Sequence, residues 1–149
     1  MIPQNETFNG TWSYEPQFCT ESGFRQHYID EGTGEVVICL HGEPTWGYLY
    51  RNMINPLADE FRVIVPDHMG FGKSETPQDR EYTLKSHTEN LSRLIESLDL
   101  DNITFVMQDW GGPIGTAYTV RNPARVSRLV YMNTLCLLYT SPSPRDLDL

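Results

Sequence analysis

The chain has 149 residues, 39 % of them apolar and 21 % charged, which suits one domain with a core of its own rather than a disordered segment. A formal net charge of −9 with no basic cluster excludes nucleic acid and anionic membrane surfaces as partners. Apolar runs stay strand-sized and Met1–Asn9 lacks the charged-then-apolar order of a signal peptide, so a cytoplasmic protein without a membrane span is expected.

Along the chain, Phe24–Asp30 alternates loosely and runs into Glu31-Gly32-Thr33-Gly34, which predicts an antiparallel hairpin. Val36–Leu40 is apolar at every position, the mark of a strand buried on both faces. Trp46–Asp59 carries a helical pattern with Thr45 as its N-cap. Phe61–Val65 predicts the next strand, stopped by Pro66. In Thr83–Leu98, Leu84, Leu91, Leu94, Ile95 and Leu98 fall on one helical stripe. Ile103–Met107 predicts a strand, Pro113–Arg121 a helix and Val126–Met132 a strand. Alternating strands and helices predict an α/β fold, a mostly parallel sheet with right-handed crossovers and helices on both faces. Ligands bind such sheets beyond the carboxyl ends of the strands, here the loops after Leu40, Val65 and Met107.

After Thr134 the character changes. Cys136–Asp146 reads C-L-L-Y-T-S-P-S-P-R-D, a string identified as the conceptual translation of a transposase sequencing adapter. Residues 1–134 are therefore expected to be the N-terminal part of one core domain, and residues 135–149 a non-native tail. The alternative is a natural Ser/Pro linker. Cys19, Cys39 and Cys136 show no paired spacing, so neither a disulfide framework nor a metal site is expected, and Cys39 reads as a small apolar residue of its strand.

Three motifs each follow a predicted strand. Gln108-Asp109-Trp110-Gly111-Gly112 has the setting of a nucleophile elbow, a tight strand-to-helix turn that lifts one side chain above the sheet. Asp109 stands where serine is usual, and Met107 replaces the first glycine of G-x-S-x-G. The alternative is that Asp109 is only a helix N-cap. His41-Gly42-Glu43-Pro44-Thr45-Trp46 has the form of an oxyanion loop, in which glycine permits close backbone approach. Asp67-His68-Met69-Gly70-Phe71-Gly72-Lys73-Ser74 gives D-x-x-G-x-G-x-S, a mostly structural turn; as a phosphate cradle it lacks both a Walker pattern and an immediate helix N-terminus.

In this order the motifs resemble the α/β-hydrolase superfamily over Gly23–Thr134. Within it, H-G-E-P-T-W with Q-D-W-G-G and Tyr48-Leu49-Tyr50-Arg51 is similar to the haloalkane dehalogenases. The resemblance makes Asp109 the nucleophile that displaces halide from carbon and forms an alkyl ester. It makes Trp110 a halide-binding residue, through an indole N–H that can only donate. It gives the oxyanion hole to the backbone N–H groups of Glu43 and Trp110, and Glu43 places the second halide donor in a cap domain. Trp46 is read as a packing residue, and His41 as ordering the oxyanion loop rather than as the base. The resemblance further implies a small-molecule substrate, a halogenated alkane or related compound, with no cofactor, no metal and a monomeric parent enzyme.

The mechanism also needs a histidine base and an acid to orient it. The family places the histidine near the C-terminus, and the cap is expected to follow near Thr134. His27, in the hairpin, and His87, on the polar part of a helix, read as surface or structural. The strand Val126–Met132 is expected to form an unprotected edge. Competing readings are an epoxide hydrolase of the same fold, which Gln108 disfavours because histidine is usual there; a luciferase-type oxygenase; and a non-catalytic binding protein on the same scaffold.

Overall fold

The computed structural model describes residues 2–134; the tail expectation for residues 135–149, with Cys136, lies outside the described residues. Strands β1 (Gln17–Cys19), β2 (Gln26–Glu31), β3 (Val36–Leu40), β4 (Arg62–Pro66), β5 (Ile103–Asp109) and β6 (Val126–Thr134) form one sheet in the order β1-β2-β4-β3-β5-β6. From β4 to β6 all pairings are parallel, while β1 and β2 join antiparallel at one side.

Side chains alternate across a strand, so β3 feeds two cores. Ile38 and Leu40 join Ile64, Phe105 and Met107 under helices α2 (Leu84–Ser97) and α3 (Gly111–Arg121). Val37 and Cys39 join Val63, Val65 and Trp12 under α1 (Arg51–Ala58). Each fully buried Leu or Ile contributes about 1.5–3 kcal/mol relative to exposure, which is why a strand apolar at every position marks the middle of the sandwich. Burial pushes the Cys39 thiol up to about 12, so it behaves as an apolar group.

Four expectations are corrected. The hairpin partner of β2 is β1, and the strand beside β2 on its other side is β4; the Gly32–Gly34 turn instead crosses β4 to reach β3. The helix expected from Trp46 begins as a 3-10 turn at Gly47–Tyr50 and becomes α-helical only at Arg51. Thr45 does not cap it; its hydroxyl donates back to the Gly42 carbonyl at 2.9 Å. Pro66 ends β4 from inside the strand, paired with Tyr28. By contrast α2 starts where expected, with Thr83 Oγ1 accepting from Ser86 N–H and Ser86 Oγ from Thr83 N–H, a reciprocal cap.

β6 is an open edge among the described residues, with Leu129, Val130 and Tyr131 exposed. No helix of the described residues is long and apolar enough to cross a membrane.

Candidate active site

β5 ends in a turn that the regular ladder cannot make. Asp109 takes φ +50°, the left-handed region that side chains other than glycine rarely occupy and Asp tolerates better than most. Opposite it, β6 carries one extra residue, Asn133 at φ +43°, so that Gln108 pairs with Met132 but Asp109 with Thr134. Such a bulge re-aims a side chain. Thr134 Oγ1 closes the turn by donating to the Asp109 carbonyl at 2.7 Å. Gly111 lets α3 start against β3: a Cβ there would lie 2.7 Å from the Leu40 carbonyl carbon.

β3 is the neighbour of β5, with Leu40 beside Met107, so the loop after Leu40 emerges next to the elbow. Gly42 is required there, because a Cβ would fall 2.7 Å from Asp109 Cγ. The next residue, Glu43, donates its backbone N–H to Asp109 Oδ1 at 3.0 Å. The loop is held from behind. The Gly42 carbonyl accepts from Thr45 N–H at 3.1 Å, Thr45 Oγ1 at 2.9 Å and His41 Nδ1 at 2.9 Å. Among the described residues nothing donates to Asp109 Oδ2, and no histidine reaches Asp109.

The turn after β4 is built around Asp67, which is fully buried. Its carboxylate accepts from Gly47 N–H, Lys73 N–H and His27 Nδ1, each at 2.8 Å. His27 is therefore a core residue and not a surface one. Ser74 Oγ donates to the Asp67 carbonyl, and Gly70 and Gly72 take positive φ. These four fixed positions make the turn, in line with its structural reading.

A small recess opens over the loop after β3 and the start of α3, bordered by Gly42, Glu43, His68, Tyr82, His87 and Trp110 among others. Trp110 is 38 % exposed on its rim, with no hydrogen bond to a described residue through its indole, so the N–H is free to meet a ligand. Trp46 packs away from the recess, stacked on Tyr48 and tilted against Trp12. His41 bonds the loop after β3 through the Gly42 carbonyl, as expected. His87 is corrected from the polar side of α2: it stands three residues after Leu84 and four before Leu91, on their stripe, and packs edge-on to His68 with rings 5.7 Å apart. That spacing was the signal for it. His68, Tyr82 and Phe71 had no comparable one, because they reach the recess from loops.

Burial lowers the pKa of His41 and of His87, and that of His68 well below the ordinary histidine value, with neighbouring rings adding to the effect at His68 and His87. All three are thus neutral at pH 7 and act as donors and acceptors. No cluster of three or more His, Cys, Asp or Glu groups among the described residues is placed to hold a metal.

The arrangement holds one carboxylate oxygen of Asp109 by a backbone N–H, while no described residue donates to the other. The chain is 45 % identical over 124 residues to a cis-3-alkyl-4-alkyloxetan-2-one decarboxylase of Shewanella oneidensis, covering 81 % of this chain and 39 % of the relative. It is 46 % identical over 119 residues to a haloalkane dehalogenase of Psychrobacter cryohalolentis, covering 77 % and 39 %. Among solved structures, the tetrameric haloalkane dehalogenase DpaA of Paraglaciecola agarilytica NO2 matches with TM-score 0.79 and 43 % identity, covering 83 % of this chain and 44 % of that one. The epoxide hydrolase CorEH matches with TM-score 0.77 and 30 % identity, covering 83 % and 43 %. The chain thus spans well under half the length of the relatives it matches. The family model described as alpha/beta hydrolase fold matches residues 35–149, and the chain belongs to that family.

Proposed function

We propose that this chain is the N-terminal part of a haloalkane dehalogenase-like hydrolase in which Asp109 is the nucleophile. The observation that carries the reading is the bond from Glu43 N–H to Asp109 Oδ1 at a turn with positive φ, while no described residue donates to Oδ2. In the first step Oδ2 forms a bond to a saturated carbon, the carbon–halogen bond breaks, and halide leaves with the electron pair. The Trp110 indole N–H is suited to receive it, because it donates without competing as an acceptor. In the second step water adds to the Asp109 carbonyl carbon and gives its proton to a base. The oxyanion on Oδ1 rests on the N–H groups of Glu43 and Trp110. Collapse expels the alcohol and restores the carboxylate. The base, its acid partner and the cap are assigned to the part of the protein beyond Thr134, and residues 135–149 to a non-native tail. Genomic DNA that encodes Cys136–Asp146 without a break would overturn the last assignment.

A second reading is favoured by the identity to the oxetanone decarboxylase. A four-membered lactone also offers a strained ring carbon with a carboxylate leaving group, and loss of carbon dioxide from the ring leaves an alkene. An epoxide is the third strained or activated carbon that the same carboxylate can attack. Asp109→Asn in the full-length protein tests the shared nucleophile: release of halide from a bromoalkane falls at least about a thousandfold, more than 4 kcal/mol of barrier. Retained halide release in the variant rules out Asp109. Wild-type protein that releases carbon dioxide from an oxetanone, or a diol from an epoxide, but no halide moves the assignment to that reaction. A soluble cytoplasmic monomer is part of the same proposal, and since DpaA is tetrameric, sedimentation of the full-length protein decides the assembly.

A further inference from the structure

The D-x-x-G-x-G-x-S turn uses Asp67, Gly70, Gly72 and Ser74, and His68 is left over. Its ring makes no bond within its own turn. His68 Nε2–H donates to the His41 carbonyl at 2.9 Å, and His68 N–H donates to His41 Nε2 at 2.9 Å. His41 Nδ1–H in turn donates to the Gly42 carbonyl at 2.9 Å. The rings lie 4.2 Å apart, His41 fully buried and His68 nearly so. Each acceptor fixes a tautomer: His41 carries its proton on Nδ1 and His68 on Nε2. β3 and β4 are neighbours, so the loop and the turn leave the sheet side by side and this reciprocal pair ties them together. Gly42, the residue the pair grips, is the one against Asp109, and its successor supplies the N–H on Oδ1.

We propose that His68 is a positioning residue: through its two bonds to His41 it sets the placement of the Glu43 N–H on Asp109 Oδ1. The consequence for the reaction rests on the hydrolase reading above. When the ester forms, Asp109 loses charge. When water attacks the ester, a full oxyanion develops on Oδ1, where the Glu43 N–H matters most. A loosened loop therefore slows ester hydrolysis more than alkylation, and ester accumulates on Asp109. A residue that only supported the fold would reduce the active fraction without shifting that ratio.

The test uses the full-length protein with 1-bromobutane, acid quench and mass measurement of the Asp109 peptide. His68→Leu, which leaves the His41 carbonyl without its donor, is expected to lower the ratio of hydrolysis to alkylation rates about tenfold. His68→Gln, whose amide can reach that carbonyl, restores most of it. His68→Asn is too short to reach and serves if the leucine variant does not fold. An unchanged ratio in a folded leucine or asparagine variant overturns the proposal. Hydrogen exchange at the Glu43 amide in the unliganded protein reads the placement without any substrate. It is expected to accelerate at least tenfold in the leucine or asparagine variant, and unchanged exchange overturns the proposal whatever the protein turns over. Wild-type protein that forms no ester while exchange behaves as expected keeps the positioning role and overturns the dehalogenase reading instead.

Discussion

Asp67 and Asp109 stand at the carboxyl ends of β4 and β5, on either side of β3, and each presses on a glycine that has no room for a side chain, Gly72 and Gly42 respectively. Their surroundings differ in what is left over. Asp67 is fully buried, and its carboxylate receives two backbone N–H groups and a histidine N–H. Asp109 receives one backbone N–H, directly precedes Trp110 on the rim of the recess, and sits in a backbone conformation that costs energy. A carboxylate with both oxygens bonded is a fastening. One with an oxygen held back is available for chemistry.

The contrast is sharpest in a pair of substitutions. Asp109→Asn, with its at least thousandfold effect on turnover, should change stability by less than about 1 kcal/mol, since Asn tolerates the same backbone. Asp67→Ala should do the reverse, costing about 3–5 kcal/mol in urea unfolding by stranding His27 and two N–H groups in the core. Turnover per folded molecule should survive it. A stability loss below about 1 kcal/mol would break the comparison, because Asp67 would then not be a fastening.

Acid acts on the histidine pair that lies between the two aspartates. His41, His68 and His87 have depressed values in the fold, so below about pH 6.5 the unfolded chain takes up protons that the folded one refuses. Stability is complete above that pH and falls as pH drops from there towards the folded-state values. The urea midpoint should be lower at pH 5.5 than at pH 7.5, and a flat profile would mean that the three rings are not held neutral. The smallest effect should come from Thr83→Ala, about 1 kcal/mol through loss of the α2 cap. It touches neither aspartate, and the stability loss read in urea unfolding checks it; no measurable loss would mean that the cap contributes nothing.

The parallel sheet and its three motif loops were legible because β3, β4 and β5 are apolar runs with the motifs directly behind them. Two features were not. The order β2-β4-β3 depends on which strand the Gly32–Gly34 turn crosses, and strand length and polarity carry no record of that. The 3-10 start after Trp46 arises because Gly47 N–H is drawn to Asp67 Oδ1, a tertiary bond that no local pattern encodes. At the site, Asp109, Glu43 and Trp110 could be named from their motifs, and the structure places Glu43 on Asp109 and Trp110 on the rim. For His87 two signals conflict: its spacing places it on the apolar stripe of α2, while its polar side chain predicts a surface position. His68 was hidden as a variable position inside a structural motif.

Thr134 gives the elbow a place in time. The hydroxyl that closes the Asp109 turn belongs to a residue 25 positions later in the chain, on the last strand described. During synthesis Asp109 emerges first and its turn stays open until β6 has been made, has docked along β5 and has put its bulge in register. The backbone turn at Asp109 is thus completed by a distant strand and not by its own segment. Until β6 is in place the Asp109 carbonyl lacks the hydroxyl that closes its turn.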